Sequence, residues 1–320
     1  MKKPTKNKLL DLLKKKAWVK QDLADDLGID EKSVRRWCKS YGIDTELERK
    51  SSLKNADVIV YEVAKPSGNT KISNGTFVVV PDLHDQWVSW PYLDAVCSFI
   101  KDFNPEYLIQ IGDLLDFEPL MKIGKAKYPS FDSQDLVQLD SGFNAASKIL
   151  SRLNSVISPS SKRILLKGNH EFRADLILRS HPELGTILDI KKRLDLSAWD
   201  VKEYLDPNVK LGKLHLLHGE FYGTNHVQKH LRHYQKNLLY GHTHGIQQDT
   251  MASPMRQIPI WGASIGCGCD LNPDYQRNKS NAWQHGFAYG FFDKVTGYFD
   301  VQVKRVINAS FWAEGRRYKA

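Results

Sequence analysis

Two histidines stand one residue apart in "YGHTHG", residues 240 to 245, with a glycine on either side. Such a string suits a sharp turn that brings both rings to one point, or a polar loop with two solvated rings. Four other segments carry similar residues where an apolar run ends. These are Asp82 and His84 in "VVVPDLH", Asp113 and Asp116 in "IQIGDLLD", Asn169 and His170 in "LLKGNHE", and His218 in "LHLLHGE". Oxygen and imidazole donors without thiolates suit divalent ions such as Mn, Fe or Zn, and the set is larger than one tetrahedral site uses. Two ions are the economical solution, with Asp113, in the middle of the series, as the natural bridge. Such a pair activates a water and clamps the non-bridging oxygens of a phosphate during in-line attack.

Those donors need elements that bring them together. From Asp57 onward, "DVIVYEV", "GTFVVVPD", "YLIQIGD", "KRILLKGN" and "KLHLLHGE" read as strands, with "WPYLDAVCSFIKDF" and "SGFNAASKILSRLN" as helices among them. The alternation predicts a layered α/β domain whose strand ends lie side by side at one edge, so that donors distant in sequence converge. Past Gly286, "GFAYGFFDKVTGYFDVQVKRVIN" reads as closing strands with a turn at Thr296 and Gly297. The segment from 117 to 142 is longer than a normal connection and reads as a lid or binding loop carrying Lys122, Lys125, Lys127 and Tyr128. In "NHVQKHLRHY", His226, His230 and His233 share roughly one helical face beside Lys229 and Arg232, which suits either the wall of a phosphodiester groove or an exposed basic helix.

Taken in order over residues 76 to about 250, D-x-H, G-D-x-x-D, G-N-H-E, H-G and G-H-x-H resemble the calcineurin-like metallophosphoesterase family. The resemblance implies an α/β fold, a four-layer αββα sandwich with a dinuclear centre at the strand ends. It implies that Asp82, His84 and His244 hold one metal, that Asn169, His218 and His242 hold the other, and that Asp113 bridges them. Mn²⁺ is the first expectation for both ions, with Fe, Zn or Ni as alternatives. His170 would be the general acid that protonates the leaving oxygen, held and kept charged by Asp116; the other reading of His170 is a structural histidine behind the ligands. Protein phosphatases of this superfamily carry arginine where this chain has Phe117 and before G-N-H-E where it has Lys167, which weakens a phosphoprotein substrate. The double-strand-break repair nucleases tend to have histidine at the position of Asp116. Arg173 in "GNHEFR" could reach back to substrate or serve as a salt-bridged structural residue.

The first fifty residues form a separate unit. Leu9, Leu10, Leu12 and Leu13, then Leu23, Ala24 and Leu27, then Val34, Trp37 and Tyr41 recur at helical spacing, with Gly28 between the second and third groups and Asp30 placed to cap the third helix. The stretch "KQDLADDLGIDEKSVRRWCK" resembles the helix-turn-helix of DNA-binding regulators. That resemblance implies that the third helix presents Glu31, Lys32, Ser33, Arg35, Arg36 and Lys39 outward, with Lys32, Ser33, Arg35, Arg36 and Lys39 facing a major groove and its phosphates. Residues 1 to 50 hold 14 Lys and Arg against 9 Asp and Glu, more than half of the protein's net charge of +9. The alternatives are a solvated helical cap that binds nothing and a protein-contact module. The expected organisation is a helix-turn-helix domain over 1–45, a linker over 46–56 and a catalytic domain over 57–320.

The 320 residues, 41% hydrophobic and 26% charged, have the composition of a globular protein. No run approaches the roughly 18 apolar residues of a membrane helix, and charges interrupt the apolar part of the start before a signal peptide forms. A cytoplasmic protein without a membrane partner is therefore expected. Cys38, Cys97, Cys267 and Cys269 are too few and scattered for a disulfide framework and are expected as buried or turn thiols.

The readings combine into a metal-dependent phosphodiesterase, a DNA nuclease of the kind encoded by phages or prophages. The alternatives are a phosphatase or a cyclic- or small-nucleotide phosphodiesterase whose N-terminal unit contacts a protein, and a DNA-binding regulator with a vestigial phosphoesterase fold. The complete donor set argues against the last.

Overall fold

The computed structural model describes residues 3–15, 20–45, 74–123, 130–255, 258–273 and 281–320. The chain divides into two compact units, Met1–Lys71 and Ile72–Ala320. The linker expected over 46–56, the strand expected in "DVIVYEV", and Lys125, Lys127 and Tyr128 lie outside the described residues.

The first unit contains three helices, α1 (Lys6–Lys15), α2 (Lys20–Leu27) and α3 (Glu31–Ser40). Their apolar stripes meet in one cluster, in which Leu9, Leu13, Leu23, Ala24 and Val34 are fully buried. The turn between α2 and α3 falls at Gly28, whose φ of +60° is open to glycine at no steric cost. Asp30 caps α3, its carboxylate accepting from the Ser33 amide at 2.9 Å and the Ser33 hydroxyl at 2.8 Å.

The second unit has a mixed α/β architecture. In chain order it runs β1 (Asn74–Val80), α4 (Trp90–Phe103), β2 (Tyr107–Gln110), α5 (Glu118–Ile123), α6 (Ser133–Asn154), β3 (Lys162–Leu166), α7 (Asn169–Ser180), the short helices α8 (Gly185–Leu188) and α9 (Ile190–Arg193), and β4 (Trp199–Lys202). It continues through β5 (Lys210–Leu211), β6 (Leu214–Leu217), α10 (His226–Tyr234), β7 (Asn237–Tyr240), β8 (Ile246–Met251) and β9 (Ile260–Ile265). The closing strands are β10 (Gly286–Asp293), β11 (Phe299–Arg305), β12 (Ser310–Ala313) and β13 (Arg316–Lys319). A six-stranded sheet has the order β11-β10-β1-β2-β3-β4, and a five-stranded sheet has the order β5-β6-β7-β9-β8. Within them β1 to β4 run parallel, as do β6, β7 and β9.

Strand alternation decides what each sheet buries. Val78 and Val80 of β1 enter a cluster with α4 and α6, whereas Phe77 and Val79 face Leu214, Leu216 and Leu239 of the other sheet. Leu238 and Tyr240 then pack with Val227 and Leu231 of α10. Parallel strands buried on both faces explain why β1, β2 and β7 read as near-continuous apolar runs.

The expected loop over 117–142 is largely helical where it is described, since α5 and the start of α6 occupy it. Asp132 and Asp135 form a reciprocal capping box that starts α6 eight residues before the helix expected from "SGFNAASKILSRLN". Among the described residues no helix is long and apolar enough to cross a membrane.

Candidate metal centre

The donors sit where the sheet edges predict, just past the C-terminal ends of β1, β2, β3, β6 and β7. Asp82, His84, Asp113, His218 and His244 are buried, with Asn169 and His242 partly so. His84, Asp113, His242 and His244 all have positive φ, from 49° to 66°. For residues other than glycine this backbone is strained, and it persists only where surrounding contacts over-determine it.

The glycines of "GHTH" therefore do less turning than the string suggests: His242 and His244 take the left-handed backbone themselves. Gly241 supplies space instead, because a Cβ there would collide with Asp82 Oδ2. Gly168 has the same role beside Asp113 Oδ1.

Three contacts fix the two carboxylates. Asp82 Oδ1 accepts from the His242 amide at 2.8 Å, Asp113 Oδ1 accepts from the His170 amide at 3.1 Å, and Asp113 Oδ2 lies 3.1 Å from His218 Nε2. His218 donates Nδ1–H to the Ile111 carbonyl at 3.1 Å, which turns Nε2 toward Asn169 Oδ1 at 3.0 Å. Asn169 Oδ1 also meets His242 Nδ1 at 2.8 Å. On the other side His84 Nε2 and His244 Nε2 face each other at 3.1 Å, while His84 Nδ1 is held by Asp116 Oδ1 at 2.9 Å. The structure thus brings all seven sequence-predicted ligands into one cluster.

The polar balance of this cluster fits cations. Burial opposes ionisation of Asp113, but the rings of His218 and His170 outweigh it and hold the carboxyl well below its usual range. Burial likewise opposes charge on His218, yet Asp113 raises that ring to about 9. Asp82 Oδ2 is buried with no hydrogen-bond partner among the described residues. A buried carboxylate oxygen without a donor is costly, and a metal is the ordinary way to satisfy one.

Asp116 and His170 differ from expectation. The Asp116 carboxylate lies closer to His84, at 2.9 Å, than to His170 Nδ1, at 3.6 Å. His170 Nδ1 donates to the Asp116 backbone carbonyl instead, which leaves its Nε2 3.8 Å from Asp113 Oδ2. Burial holds the His170 ring below its ordinary pKa, with Asp113 and Asp116 opposing that shift.

Several residues here were given no role from sequence. Glu171 is buried and accepts from three backbone amides, Leu115 and Gly168 at 2.8 Å and Asp113 at 3.2 Å, so it ties the β2 and β3 loops together. Burial, with Asp113 adding to it, raises its carboxyl to about 7. Asp85 likewise accepts from the Asp116 amide at 2.8 Å. Cys269 was expected as a plain buried thiol, and both it and Cys267 are buried and free. It also joins His84 and His244 in a group whose donor atoms lie within 4.8 Å of one another. A thiol therefore stands beside the oxygen and imidazole set. For Glu171 a signal existed, since it follows Asn169 and His170 in the quoted motif; for Cys269 nothing in "GCGCD" marked it.

The remaining predicted positions divide. Lys167 is buried between Asp175 at 2.7 Å and Glu203 at 3.0 Å, and Phe117 packs against Phe143, so both positions where phosphatases carry arginine are structural here. Arg173 Nη1 is buried without a hydrogen-bond partner among the described residues. His226 and His230 belong to the core of α10 and not to a groove wall. His226 Nδ1 meets the Tyr240 hydroxyl at 2.7 Å, and His230 Nε2 accepts from the Glu220 and Phe221 amides at 3.1 and 3.3 Å. His233 is exposed.

On α3, Lys32, Arg35, Arg36 and Lys39 are exposed and Ser33 is half-buried. Arg35 is paired with Glu31 through two hydrogen bonds, at 2.9 and 3.1 Å, and Ser33 serves the Asp30 cap. Arg36 makes only longer contacts within the helix, to the Lys32 carbonyl at 3.4 Å and the Ser33 hydroxyl at 3.5 Å, and like Lys32 and Lys39 it is exposed.

A family model described as calcineurin-like phosphoesterase matches residues 75–275. The gene 54 protein of Mycobacterium phage D29 is 25% identical over 226 residues, covering 66% of this chain and 86% of that protein. Among solved structures, the chain matches TT1561 of Thermus thermophilus at 10% identity and a TM-score of 0.29, covering 72% of this chain and 99% of that one. It also matches a single mutant of Vps29 from Entamoeba histolytica at 9% identity and a TM-score of 0.31, covering 72% and 98%.

Proposed function

The chain belongs to the calcineurin-like phosphoesterase family, and from that premise we propose that it is a two-metal phosphodiesterase acting on DNA, held on duplex by an N-terminal helix-turn-helix. The family hydrolyses phosphoester bonds with metal ions. The reading rests above all on the convergence of seven donors from five strand ends, with Asp82 Oδ2 left unpaired. Asp82, His84 and His244 would hold one divalent cation and Asn169, His218 and His242 the other, with Asp113 between them. When bound, the pair supplies Lewis-acid activation of water and neutralises phosphate charge.

The chain's own residues do the rest. His170, anchored through Nδ1 on the Asp116 carbonyl, turns Nε2 toward the centre. Donation from Nε2 to the leaving oxygen would require the protonated ring, which burial opposes and the Asp113 and Asp116 carboxylates favour. Arg173, whose Nη1 is buried without a hydrogen-bond partner among the described residues, would be the candidate donor to a phosphate oxygen. Glu171 holds the strained Asp113 loop in place. With Phe117 and Lys167 committed to packing and ion pairs, a phosphoprotein substrate is disfavoured.

On α3, Lys32, Arg36 and Lys39 would meet phosphates, whereas Ser33 and Arg35 are occupied within the helix. This supports a backbone-holding contact more than base readout.

The test is hydrolysis by the full chain with Mn²⁺ of linear duplex DNA, bis-p-nitrophenyl phosphate and p-nitrophenyl phosphate. The expected result is cleavage of DNA and of the diester, both lost in Asp113→Asn. Cleavage of the monoester with intact DNA would overturn the nuclease reading in favour of the phosphatase.

A further inference from the structure

Beside the metal centre lies a cavity of about 500 Å³ that the hydrolytic chemistry leaves without a role. Ser89, Trp283, Arg305, Ile307 and Asn308 line it. One residue joins it to the centre: the Trp283 ring packs edge-on against the candidate ligand His244, with ring centroids 4.2 Å apart and planes at 68°. The joint is rigid, because the next residue, Gln284, donates its amide to the His244 carbonyl at 2.8 Å and accepts from the Cys267 amide at 2.9 Å. Arg305 is exposed at the end of β11 and has no ion pair among the described residues.

We propose that this cavity receives the nucleotide that flanks the scissile phosphate, with Trp283 stacking on its base and Arg305 on its next phosphate. This inference rests on the phosphodiesterase reading above. An indole beside a guanidinium is the pairing that holds single nucleotides, since stacking tolerates any base and the guanidinium fork matches phosphate oxygens. A cavity of this size holds one nucleotide, as ligand pockets run from about 300 to 1,000 Å³. Its polar lining, Ser89 and Asn308, offers hydrogen bonds to a base edge or sugar. The protein's net charge of +9 favours a polyanionic strand over a neutral small molecule as the occupant.

The test uses the full chain with Mn²⁺ and two substrates of equal charge, a thymidine tetranucleotide and the same phosphodiester backbone without its bases. The expected KM is lower for the base-bearing strand by about tenfold, within the range that stacking one base supplies. Trp283→Ala should abolish that preference and Trp283→Phe restore most of it, whereas Arg305→Gln should raise KM for both strands. A wild-type protein that treats the two strands alike, or a preference that survives Trp283→Ala, would overturn the inference and leave the phosphodiesterase reading standing. If neither strand is cleaved but p-nitrophenyl phosphate is, the phosphodiesterase reading fails. The cavity is then judged by competition: inhibition of monoester hydrolysis by the tetranucleotide, relieved in Trp283→Ala, supports it, and equal inhibition of both proteins overturns it.

Discussion

In the metal centre, polar side chains are held from several directions at once. Asp113 is met by the His170 amide and the His218 ring, and its own amide is held by Glu171. His218 is gripped by Ile111 on one nitrogen and Asn169 on the other. On α3 of the three-helix unit, by contrast, Lys32, Arg36 and Lys39 are exposed, and the contacts of their neighbours, Asp30 with Ser33 and Glu31 with Arg35, lie within one turn of that helix. A site whose groups fix one another stores its specificity in geometry, and losing one member disturbs the rest. A surface of separate cations stores it in charge, which is additive and screened by salt.

The largest expected effect follows from this difference. Asp113→Asn should lower kcat by at least about 10³-fold, as expected when a group that fixes transition-state charge is removed. The same variant should bind fewer than two Mn²⁺ per chain by equilibrium dialysis. Full metal content with full activity would show that Asp113 is not the bridge.

Glu171→Gln comes next. Its amide nitrogen would face backbone amides that now donate to a carboxylate, a donor set against donors. Metal affinity should fall about 10- to 100-fold, the usual penalty for a residue that orients ligands from behind. Mn²⁺ titration followed by the rise in melting temperature measures it.

Part of the protein's acid sensitivity should come from α10. Burial holds His230 down at about 4, and its Nε2 accepts two amide bonds that protonation would break. The unfolded chain takes up this proton below about pH 6.5, so stability is intact above that pH and falls as pH drops toward about 4. The loss should be on the order of 2–3 kcal/mol. Urea unfolding at pH 7 and pH 4.5 checks it, and in His230→Phe the slope assigned to this residue should disappear.

The smallest and most additive effect belongs to the other region. Replacing Lys32, Arg36 and Lys39 with Gln should reduce the dependence of log K on log salt by about 0.9 for each lost phosphate contact. Affinity for duplex should fall while hydrolysis of bis-p-nitrophenyl phosphate is retained. An unchanged salt slope would point to a protein partner for these helices.

The same contrast governs what the sequence could tell. The convergence of the seven candidate ligands was legible because each follows a short apolar run, and parallel strands must end together. The three helices were legible because Leu9, Leu13, Leu23, Ala24 and Val34 keep helical period. The start of α6 was missed although Asp132 and Asp135 stand three apart, because the reciprocal cap uses Asp at the third position and not the commoner Glu or Gln. His226 and His230 were ambiguous, since helical spacing gives a face and not its neighbour; Tyr240 and the amides of Glu220 and Phe221 decide it. Asp116 turned toward His84 for a similar reason: two histidines lie within reach, and only the fold ranks them.

The space that Gly241 leaves for Asp82 has a consequence for how this protein can drift. Any side chain at 241 meets the carboxylate of 82, so the two positions, 159 residues apart along the chain, behave as a single heritable unit. A lineage that keeps the aspartate is committed to the glycine. One that releases the glycine must displace the Asp82 oxygen, which has no hydrogen-bond partner among the described residues.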